Sequence, residues 1–181
     1  DKLKIVHALD ALGVHYIEAG YPGSNPKDAE FFQRVSEISL KNAIITPFGS
    51  TRHPKKTAQD DPHLHALLAT GASTITLFGK SSELHVSEVL RVSKTENLDL
   101  IISTIAFLVA HGKTVIYDAE HFFDPFYENS EYALQTIKSA EKAGAARIVL
   151  CDTNGGRLPH EIAHAVAATR GYVSVPLGIH A

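Results

Sequence analysis

The sequence predicts an α/β fold in which strands alternate with helices. Six strand-like runs, rich in β-branched and other apolar residues, recur along the 181 residues. The runs are HYIEAG (15–20), AIITPFG (43–49), STITLFG (73–79), TVIYDAE (114–120), RIVLCDT (147–153) and SVPLGIHA (174–181). Strands that alternate with helices form a parallel sheet, which is either open and doubly wound or closed into a barrel.

The stretches between these runs carry apolar residues at the spacing of an amphipathic helix. Ile101, Ile105 and Leu108, for example, fall on one helical face. Several of these stretches end at a glycine, the residue preferred just beyond a helix C-terminus. The glycines concerned are Gly13, Gly71, Gly112, Gly144 and Gly171. The repeating unit is therefore a strand followed by a helix.

Polar residues at the strand ends decide between the two kinds of sheet. Alternation along the strands places one set of them on the same side, namely Glu18, Asp118, Glu120, Thr153 and His180. In a barrel such residues point into one mouth, where active sites of this fold lie. A doubly wound sheet usually has a glycine-rich phosphate loop after its first strand, and the sequence has none. The sequence therefore predicts a partial (β/α)8 TIM barrel that comprises strands 2–7.

Composition narrows the classes of partner. The chain is 44% hydrophobic and 20% charged, which suits one globular unit with a sizeable core. A net charge of −3 gives no broad cationic surface, so we expect small-molecule partners and neither nucleic acid nor membrane. A single cysteine favours the reducing cytoplasm. The apolar stretch from Leu98 to Val109 is too short to span a bilayer.

The chain contains no methionine and opens on Asp1 inside a helical pattern. We therefore expect residues 1–181 to be a fragment of one catalytic TIM-barrel domain, without its first strand, its eighth strand and the C-terminal regions. A parallel sheet that lacks its closing strands has unpaired edges. The fragment alone is expected to be inactive and prone to associate.

One motif points to a different chemistry. His160-Glu161-Ile162-Ala163-His164 fits the H-E-x-x-H pattern of zinc peptidases. Pro159 is typical of a first helical position, so a helix begins there and directs Ile162 and Val166 toward the sheet. The motif then lies on the solvent side with no identifiable third ligand. A solvated helix face is favoured, and a zinc peptidase is the remote alternative.

At the predicted strand ends the sequence resembles a family of acyl-CoA condensing enzymes. The family includes citramalate, isopropylmalate and homocitrate synthases, with hydroxymethylglutaryl-CoA lyase as a relative. The resemblance spans nearly the whole chain and rests on YIEAGYPGSNPKDAEFF (16–32), FGSTRHP (48–54), LFGKSSELHVSEVL (77–90), DAEHFFD (118–124), LCDTNGGRLPHEI (150–162) and GIHA (178–181). One departure is the FGKSSE segment (78–83), where citramalate synthases read F-G-K-S-W-D.

The resemblance implies a TIM barrel with a divalent metal ion (Mn²⁺, Mg²⁺ or Zn²⁺) in its mouth. The family binds this ion through an Asp on the first strand and an H-x-H pair on the seventh, and His180 matches the first histidine of that pair. The implied reaction is a Claisen-type condensation of acetyl-CoA with a small 2-oxo acid, expected to be pyruvate, followed by thioester hydrolysis. We further expect a homodimeric, cytoplasmic enzyme of amino-acid biosynthesis when the protein is full length.

Other functions stay open at this point. Isopropylmalate synthase and homocitrate synthase differ from this reaction in the 2-oxo acid that they use. A lyase like hydroxymethylglutaryl-CoA lyase would cleave a hydroxyacyl-CoA instead of forming one. A non-catalytic binding module built on the barrel is a further alternative.

Asp118 and Glu120 are the candidate catalytic residues. They lie two positions apart at the end of the fifth strand, so both side chains face the same side. Two carboxylates in a partly closed site do not both ionise readily, which suits proton transfer. The resemblance matches Glu120 to the family's active-site glutamate, as an acid/base group or the organiser of a catalytic water. The alternative for both residues is a capping or solvated carboxylate.

Three further residues are candidates for substrate binding. The resemblance implies that Thr153 donates to the carboxylate of the 2-oxo acid, whereas a turn threonine before Asn154 is the alternative. Glu18 either supports the metal or substrate, or pairs with a basic residue of a neighbouring strand. Arg52 belongs to a set of polar residues in the loops after the third and fourth strands, with Lys55, Lys56, Lys80, Ser81 and His85. These loops either steer an anionic acid or the phosphates of coenzyme A, or form a solvated face.

Overall fold

The computed structural model describes residues 1–181 and alternates strands with helices in the predicted order. The strands are β1 (Tyr16–Glu18), β2 (Ile44–Thr46), β3 (Phe48–Ser50), β4 (Thr74–Lys80), β5 (Thr114–Glu120), β6 (Arg147–Cys151) and β7 (Leu177–His180). The helices are α1 (Lys2–Leu12), α2 (Pro26–Val35), α3 (Pro62–Ala69), α4 (Glu83–His85), α5 (Lys94–Ala110), α6 (Phe123–Lys142) and α7 (Pro159–Arg170). A π-helical turn (Val86–Leu90) follows α4, in a segment that the sequence predicted only as a loop.

All strand pairs are parallel, and neighbours in the sheet are neighbours in sequence. The sequence predicted one strand over 43–49, which Pro47 divides into β2 and β3 because proline has no N–H for the strand ladder. The two halves still continue one another. The Phe48 N–H donates to the Gly20 carbonyl (2.9 Å), and the Pro47 carbonyl accepts from the Thr76 N–H (3.0 Å). The chain thus passes from its pairing with β1 to its pairing with β4 without leaving the sheet.

The helices pack on one face of this sheet and bury most of the apolar side chains there. The main core comprises 23 buried residues, contributed by β4, β5 and β6 on one side and by α3, α5, α6 and α7 on the other. Its fully buried members include Leu67, Ile75, Ile105, Tyr117 and Ile137. Burial of each aliphatic side chain among these contributes about 1.5–3 kcal/mol. A smaller core joins α1 and α2 to β1 through Val6, Ile17, Phe31, Phe32 and Val35.

The opposite face of the sheet is polar toward its C-terminal end. Strand alternation turns Thr76, Asp118 and Cys151 away from the helix layer, because Leu77, Ala119 and Leu150 occupy the core. The strands are in register, so Phe78 lies beside Asp118, Lys80 beside Glu120, and Cys151 beside His180. The predicted α/β fold with a parallel sheet is confirmed, with the strand ends gathered at one edge.

Glycine ends most of the helices as predicted. Gly13, Gly71, Gly112 and Gly144 have φ values of 89°, 72°, 73° and 103°, in the left-handed region that favours glycine. Gly171 differs, since its φ of −79° is right-handed. There the Tyr172 N–H closes the helix by donating to the Thr169 carbonyl (2.9 Å). None of the seven helices is both long and apolar enough to cross a membrane.

Candidate functional site

A cavity of about 420 Å³ opens at the C-terminal ends of β5, β6 and β7. Four of the six residues predicted for the site line it, namely Asp118, Glu120, Thr153 and His180. The rest of the lining is Phe48, Phe78, Cys151, Asp152, Asn154, Gly155 and Ala181. Glu18 and Arg52 lie outside this lining. Residues that are distant in sequence therefore meet because three neighbouring strands end at the same edge.

Asp118 is the most perturbed carboxyl of the site. It is 3% exposed, and its Oδ1 has no hydrogen-bond partner. Burial raises the pKa of Asp118 to about 7, and the negative charge of Glu18 adds to the increase. The sequence predicted that Glu120 would perturb the ionisation of Asp118. The carboxylate that does so is Glu18 instead, and Glu120 is paired with Lys80.

Glu120 forms an ion pair with Lys80 through its Oε2. Both residues end their strands and are paired in register, so their side chains leave the sheet at the same height. The side chains are 17% exposed for Lys80 and 22% for Glu120. A partly buried pair of this kind fixes the direction of the carboxylate.

Thr153 lies in a tight turn that the sequence predicts from its Asn-Gly-Gly segment. The Gly155 N–H donates to the Asp152 carbonyl (2.9 Å), and Gly155 adopts a left-handed φ of 64°. The Thr153 Oγ1 accepts the His121 N–H at 2.9 Å. Since this contact uses the oxygen only as an acceptor, the hydroxyl proton of Thr153 is available to donate toward the cavity.

Asp118, Cys151 and His180 form a cluster that could hold a metal ion. Their ligand atoms all lie within 4.8 Å of one another. Carboxylate, thiol and imidazole are donors that divalent transition metals accept, and the unpartnered Asp118 Oδ1 provides a buried acceptor for an ion. Burial raises the pKa of the Cys151 thiol, and the nearby carboxylates raise it further. The cluster therefore fits a divalent ion. Asp118 and His180 are the favoured ligands, because Cys151 would first have to lose its thiol proton.

Glu18 ends β1 at the open edge of the sheet. Partial desolvation raises the pKa of Glu18, while a hydrogen bond from Thr76 and the positive charge of His180 oppose the increase. The structure gives Glu18 no basic partner on a neighbouring strand. Its electrostatic partners are instead Asp118 and His180, so Glu18 influences the cluster from outside the cavity.

Arg52 is held by three contacts of its side chain. Its Nη2 contacts Asp99 (2.5 Å), its Nε donates to Ser103 (2.7 Å), and its Nη1 donates to the Lys56 carbonyl (2.6 Å). These contacts tie the loop after β3 to α5. The guanidinium therefore anchors this loop. Arg52 also contributes to the lining of a second cavity, described next, so its part in substrate binding stays a prediction.

Sequence reasoning missed a second cavity, also of about 420 Å³, beside the first. Its lining includes Tyr21, Ser50, Lys56, His63, Phe78 and Lys80. An aromatic wall separates the two spaces. Phe78 stacks on Phe48 with centroids 5.1 Å apart, and Tyr21 meets both rings edge-on. No local pattern reveals this wall, because its three rings come from separate strand–loop units.

Two histidines next to the ion pair were also not assigned to one site. The rings of His85 and His121 meet with centroids 4.3 Å apart, and the Nδ1 atom of each is buried without a partner. Burial lowers the pKa of His85, and the charges of His121 and Lys80 lower it further. His121 has a left-handed φ of 53°, which is uncommon for a non-glycine residue. The backbone after β5 is therefore held in a strained conformation at the edge of the site.

The H-E-x-x-H segment serves to begin α7. Glu161 accepts the Leu158 N–H (2.8 Å) and lies 3.7 Å from Arg157, and His160 and His164 are exposed. His164 contacts the Tyr127 hydroxyl at 3.2 Å. The glutamate therefore caps a helix, as a carboxylate near a helix start commonly does.

The fold and this polar mouth define a class of protein, an α/β barrel with its site at the C-terminal ends of parallel strands. The HMGL-like family model matches residues 1–181. The chain belongs to the HMGL-like family, and the family resemblance seen in the sequence is confirmed.

Similar proteins agree with this assignment. The chain is 49% identical over 180 residues to an (R)-citramalate synthase of Sulfolobus acidocaldarius, covering 99% of this chain and 34% of that protein. It is 31% identical over 179 residues to a homocitrate synthase of Methanopyrus kandleri, covering 99% of this chain and 42% of that protein. The chain thus spans about a third of the length of the first of these relatives.

A solved structure of the HMG-CoA lyase from Bacillus subtilis superposes with a TM-score of 0.76 at 18% identity, and the match covers 98% of this chain and 60% of that one. At this identity the likeness concerns the fold.

Proposed function

We propose that the protein that carries this chain joins acetyl-CoA to pyruvate in a Claisen-type condensation and hydrolyses the thioester to give citramalate. The observation that carries the proposal is the cavity that brings Glu120, Thr153 and the Asp118–Cys151–His180 cluster together. Pyruvate is favoured as acceptor because a relative named (R)-citramalate synthase is 49% identical, against 31% for a homocitrate synthase.

In this proposal Thr153 binds the carboxylate of the 2-oxo acid. Its hydroxyl proton is free to donate because the oxygen already accepts the His121 N–H. The tight turn at Gly155 fixes the direction of this donor before substrate arrives. The rings of Phe48 and Phe78 form an apolar part of the same lining, which suits the methyl group of a small 2-oxo acid.

His180 and Asp118 would hold the divalent ion, which we propose to be Mn²⁺, Mg²⁺ or Zn²⁺. When bound, such an ion supplies Lewis-acid polarisation of the keto carbonyl of the acceptor. Glu18 contributes negative charge to these ligands from β1, as its effect on the pKa of Asp118 indicates. The proposal includes the homodimer and the cytoplasmic location that the resemblance implies.

Glu120 would accept the proton that leaves the methyl group of the thioester. Its pairing with Lys80 fixes the direction of the carboxylate, and its side chain reaches the cavity that also holds Thr153 and His180. A base in this position generates the carbon nucleophile next to the keto carbonyl of the 2-oxo acid, which the nucleophile then attacks. Transfer of that proton to the alkoxide of the condensation product restores the carboxylate, which can then orient water for thioester hydrolysis.

The test is release of free thiol from acetyl-CoA by the protein that carries this chain, with Mn²⁺ or Mg²⁺ present. Pyruvate, 2-oxoisovalerate and 2-oxoglutarate are offered in turn. Pyruvate-dependent release is expected, and Glu120→Gln should reduce kcat by about 100-fold or more. Glu161→Gln is the matched control, since Glu161 lies at the start of α7 and its capping contact survives the change.

No thiol release with any of the three acids would contradict the condensation. Cleavage of hydroxymethylglutaryl-CoA under the same conditions would point to the lyase reaction instead. Release with 2-oxoglutarate or 2-oxoisovalerate alone would keep the condensation and replace the acceptor.

A further inference from the structure

Lys80 ends β4 next to Glu120, and its ammonium has a single hydrogen-bond partner. That partner is the Glu120 Oε2, and no other side chain donates to Glu120. One oxygen of the carboxylate is therefore held, while the other is left for the cavity that Glu120 lines. The aromatic face of Phe78 lies 5.6 Å from the Lys80 ammonium and limits its movement.

The backbone of Lys80 is fixed as firmly as its side chain. The Lys80 carbonyl accepts from the Asn97 side chain at 2.9 Å, and the same amide donates to the Tyr132 hydroxyl at 2.8 Å. Asn97 is fully buried at the start of α5. The Ser81 N–H donates to the Glu120 carbonyl (3.3 Å), which continues the strand ladder past the pair. Helix α5 and strand β5 together thus hold Lys80 from its carbonyl side.

The ion pair also lies at the boundary between the two cavities. Lys80 lines one cavity, Glu120 lines the other, and Phe78 is common to both. A charge at this boundary is in the right place to set the direction of a carboxylate that works on a substrate in the cavity that Glu120 lines.

We infer that Lys80 is a positioning residue for Glu120, which holds one carboxylate oxygen so that the other faces the reacting atoms. The inference rests on the proposed function, because it concerns the group that accepts the thioester proton. Lys80 itself does not touch substrate in this view. The rival roles are direct binding of a substrate anion by the ammonium, and a contribution to folding alone.

A double-mutant cycle separates these roles. Lys80→Met, Lys80→Arg, Glu120→Gln and the combination of Lys80→Met with Glu120→Gln are compared in the thiol-release assay at varied pyruvate and acetyl-CoA. Lys80→Met should lower kcat by about 10- to 100-fold and change either KM by less than about threefold. Lys80→Arg should recover most of the activity. In the Glu120→Gln background, Lys80→Met should lower kcat by less than about twofold, because the group it positions is already inactive.

The control is Lys94→Met. Lys94 pairs with Glu83 at 3.3 Å on the surface, so this variant makes the same chemical change at an exposed ion pair. Its kcat should equal that of the wild type. Lys80→Gln, which keeps one hydrogen-bond donor, replaces Lys80→Met if the methionine variant does not fold.

Three results would overturn the inference. A raised KM for one substrate with equal effects of Lys80→Met in both backgrounds would assign Lys80 to direct binding. Full kcat in Lys80→Met would leave it without a role, and loss of folded protein in both neutral variants would make it structural. If the wild type releases no thiol with any 2-oxo acid, the proposed function fails and the inference falls with it. Wild-type turnover with a fully active Lys80→Met contradicts the role of Lys80 alone.

Discussion

Ionisation of the buried Asp118 carboxyl group destabilises the folded protein. Its pKa is raised to about 7 in the folded protein, primarily by burial and then by the charge of Glu18. An unfolded aspartate has a pKa of about 3.9, so the folded state binds more protons between about pH 4 and 7. The free energy of unfolding therefore falls as pH rises through this window.

Asp118→Asn removes this dependence and should stabilise the protein at high pH. In EDTA at pH 8 we expect its free energy of unfolding to exceed that of the wild type by about 2–4 kcal/mol, because the folded and unfolded pKa values of Asp118 differ by about three. The difference should shrink toward zero below about pH 4. Denaturant unfolding at a series of pH values measures it.

Asp124 provides a control of opposite sign. Although desolvation opposes the change, hydrogen bonds from Arg157 and Asn154 lower the pKa of Asp124. Its stabilising effect is present above the unfolded pKa and is lost as pH falls through the folded one. Asp124→Asn should therefore destabilise at neutral pH, with the difference shrinking on acidification. Equal pH dependence of the two variants would contradict the assignment of Asp118.

Thr153 is expected to act on one substrate only. Thr153→Val removes the hydroxyl but keeps the shape of the side chain. It should raise KM for pyruvate by about tenfold, because it removes one hydrogen bond of about 1–1.5 kcal/mol. KM for acetyl-CoA should stay unchanged, and Thr153→Ser should behave as the wild type. Steady-state kinetics with each substrate varied in turn check this, and an unchanged KM for pyruvate would refute carboxylate binding by Thr153.

At the scale of elements, α3 packs so closely on β3 that the strand requires a glycine. A Cβ at Gly49 would lie 2.6 Å from the His63 Nε2 and 2.8 Å from the Leu67 Cδ1. Neither neighbour is free to move, because Leu67 is fully buried and the His63 Nε2 accepts the Ser50 N–H at 3.1 Å. Gly49→Ala should therefore destabilise the protein by about 1–3 kcal/mol.

Gly171→Ala makes the same change without the clash. Nothing lies within 4 Å of a Cβ there, and the φ of −79° suits any residue. Its effect should remain within about 0.5 kcal/mol. Thermal unfolding compares the two variants, and an equal Tm for both would show that α3 can move away from β3.

The sequence predicts these elements well where the signal is local. The apolar runs locate every strand position, and Pro159 begins α7 as predicted. Pro47 and the π-helical turn after α4 are the exceptions within elements. The placement of Arg52 depends on Asp99, 47 residues away on α5, which no local pattern contains.

The candidate site shows the same division between local and tertiary signals. Alternation along β5 and β6 suffices to bring Asp118, Glu120 and Thr153 to one side. The electrostatic interaction of Asp118 with Glu18 joins distant strands, so it can be found only once the fold is known. The pair of Lys80 with Glu120 is within reach of the sequence, because each is the seventh residue of its strand and the strands begin in register at Thr74 and Thr114.

At the scale of the whole molecule, the sheet has two edges. Strands β1 and β7 each have one neighbour, and Ile179 on β7 is 52% exposed. Exposed apolar strands with unpaired backbone groups pair with other chains. Residues 1–181 by themselves should therefore associate as their concentration rises, measurable by sedimentation velocity.

Ile179→Lys should reduce this association, because a charge at a sheet edge opposes edge-to-edge pairing. A change on the helix surface, Ile102→Lys, is the matched control, since Ile102 is exposed to a similar degree outside the sheet. A monomeric chain at all concentrations that also turns over substrate would contradict the prediction.

The two cavities of the mouth have linings that meet at one residue, Phe78. Substitutions in the loop after β3 therefore alter one chamber, and substitutions in the turn after β6 alter the other. During evolution, substitutions can change the ligand that one cavity binds while the other cavity keeps its ligand. Phe78 is the exception, because a substitution there changes the lining of both cavities.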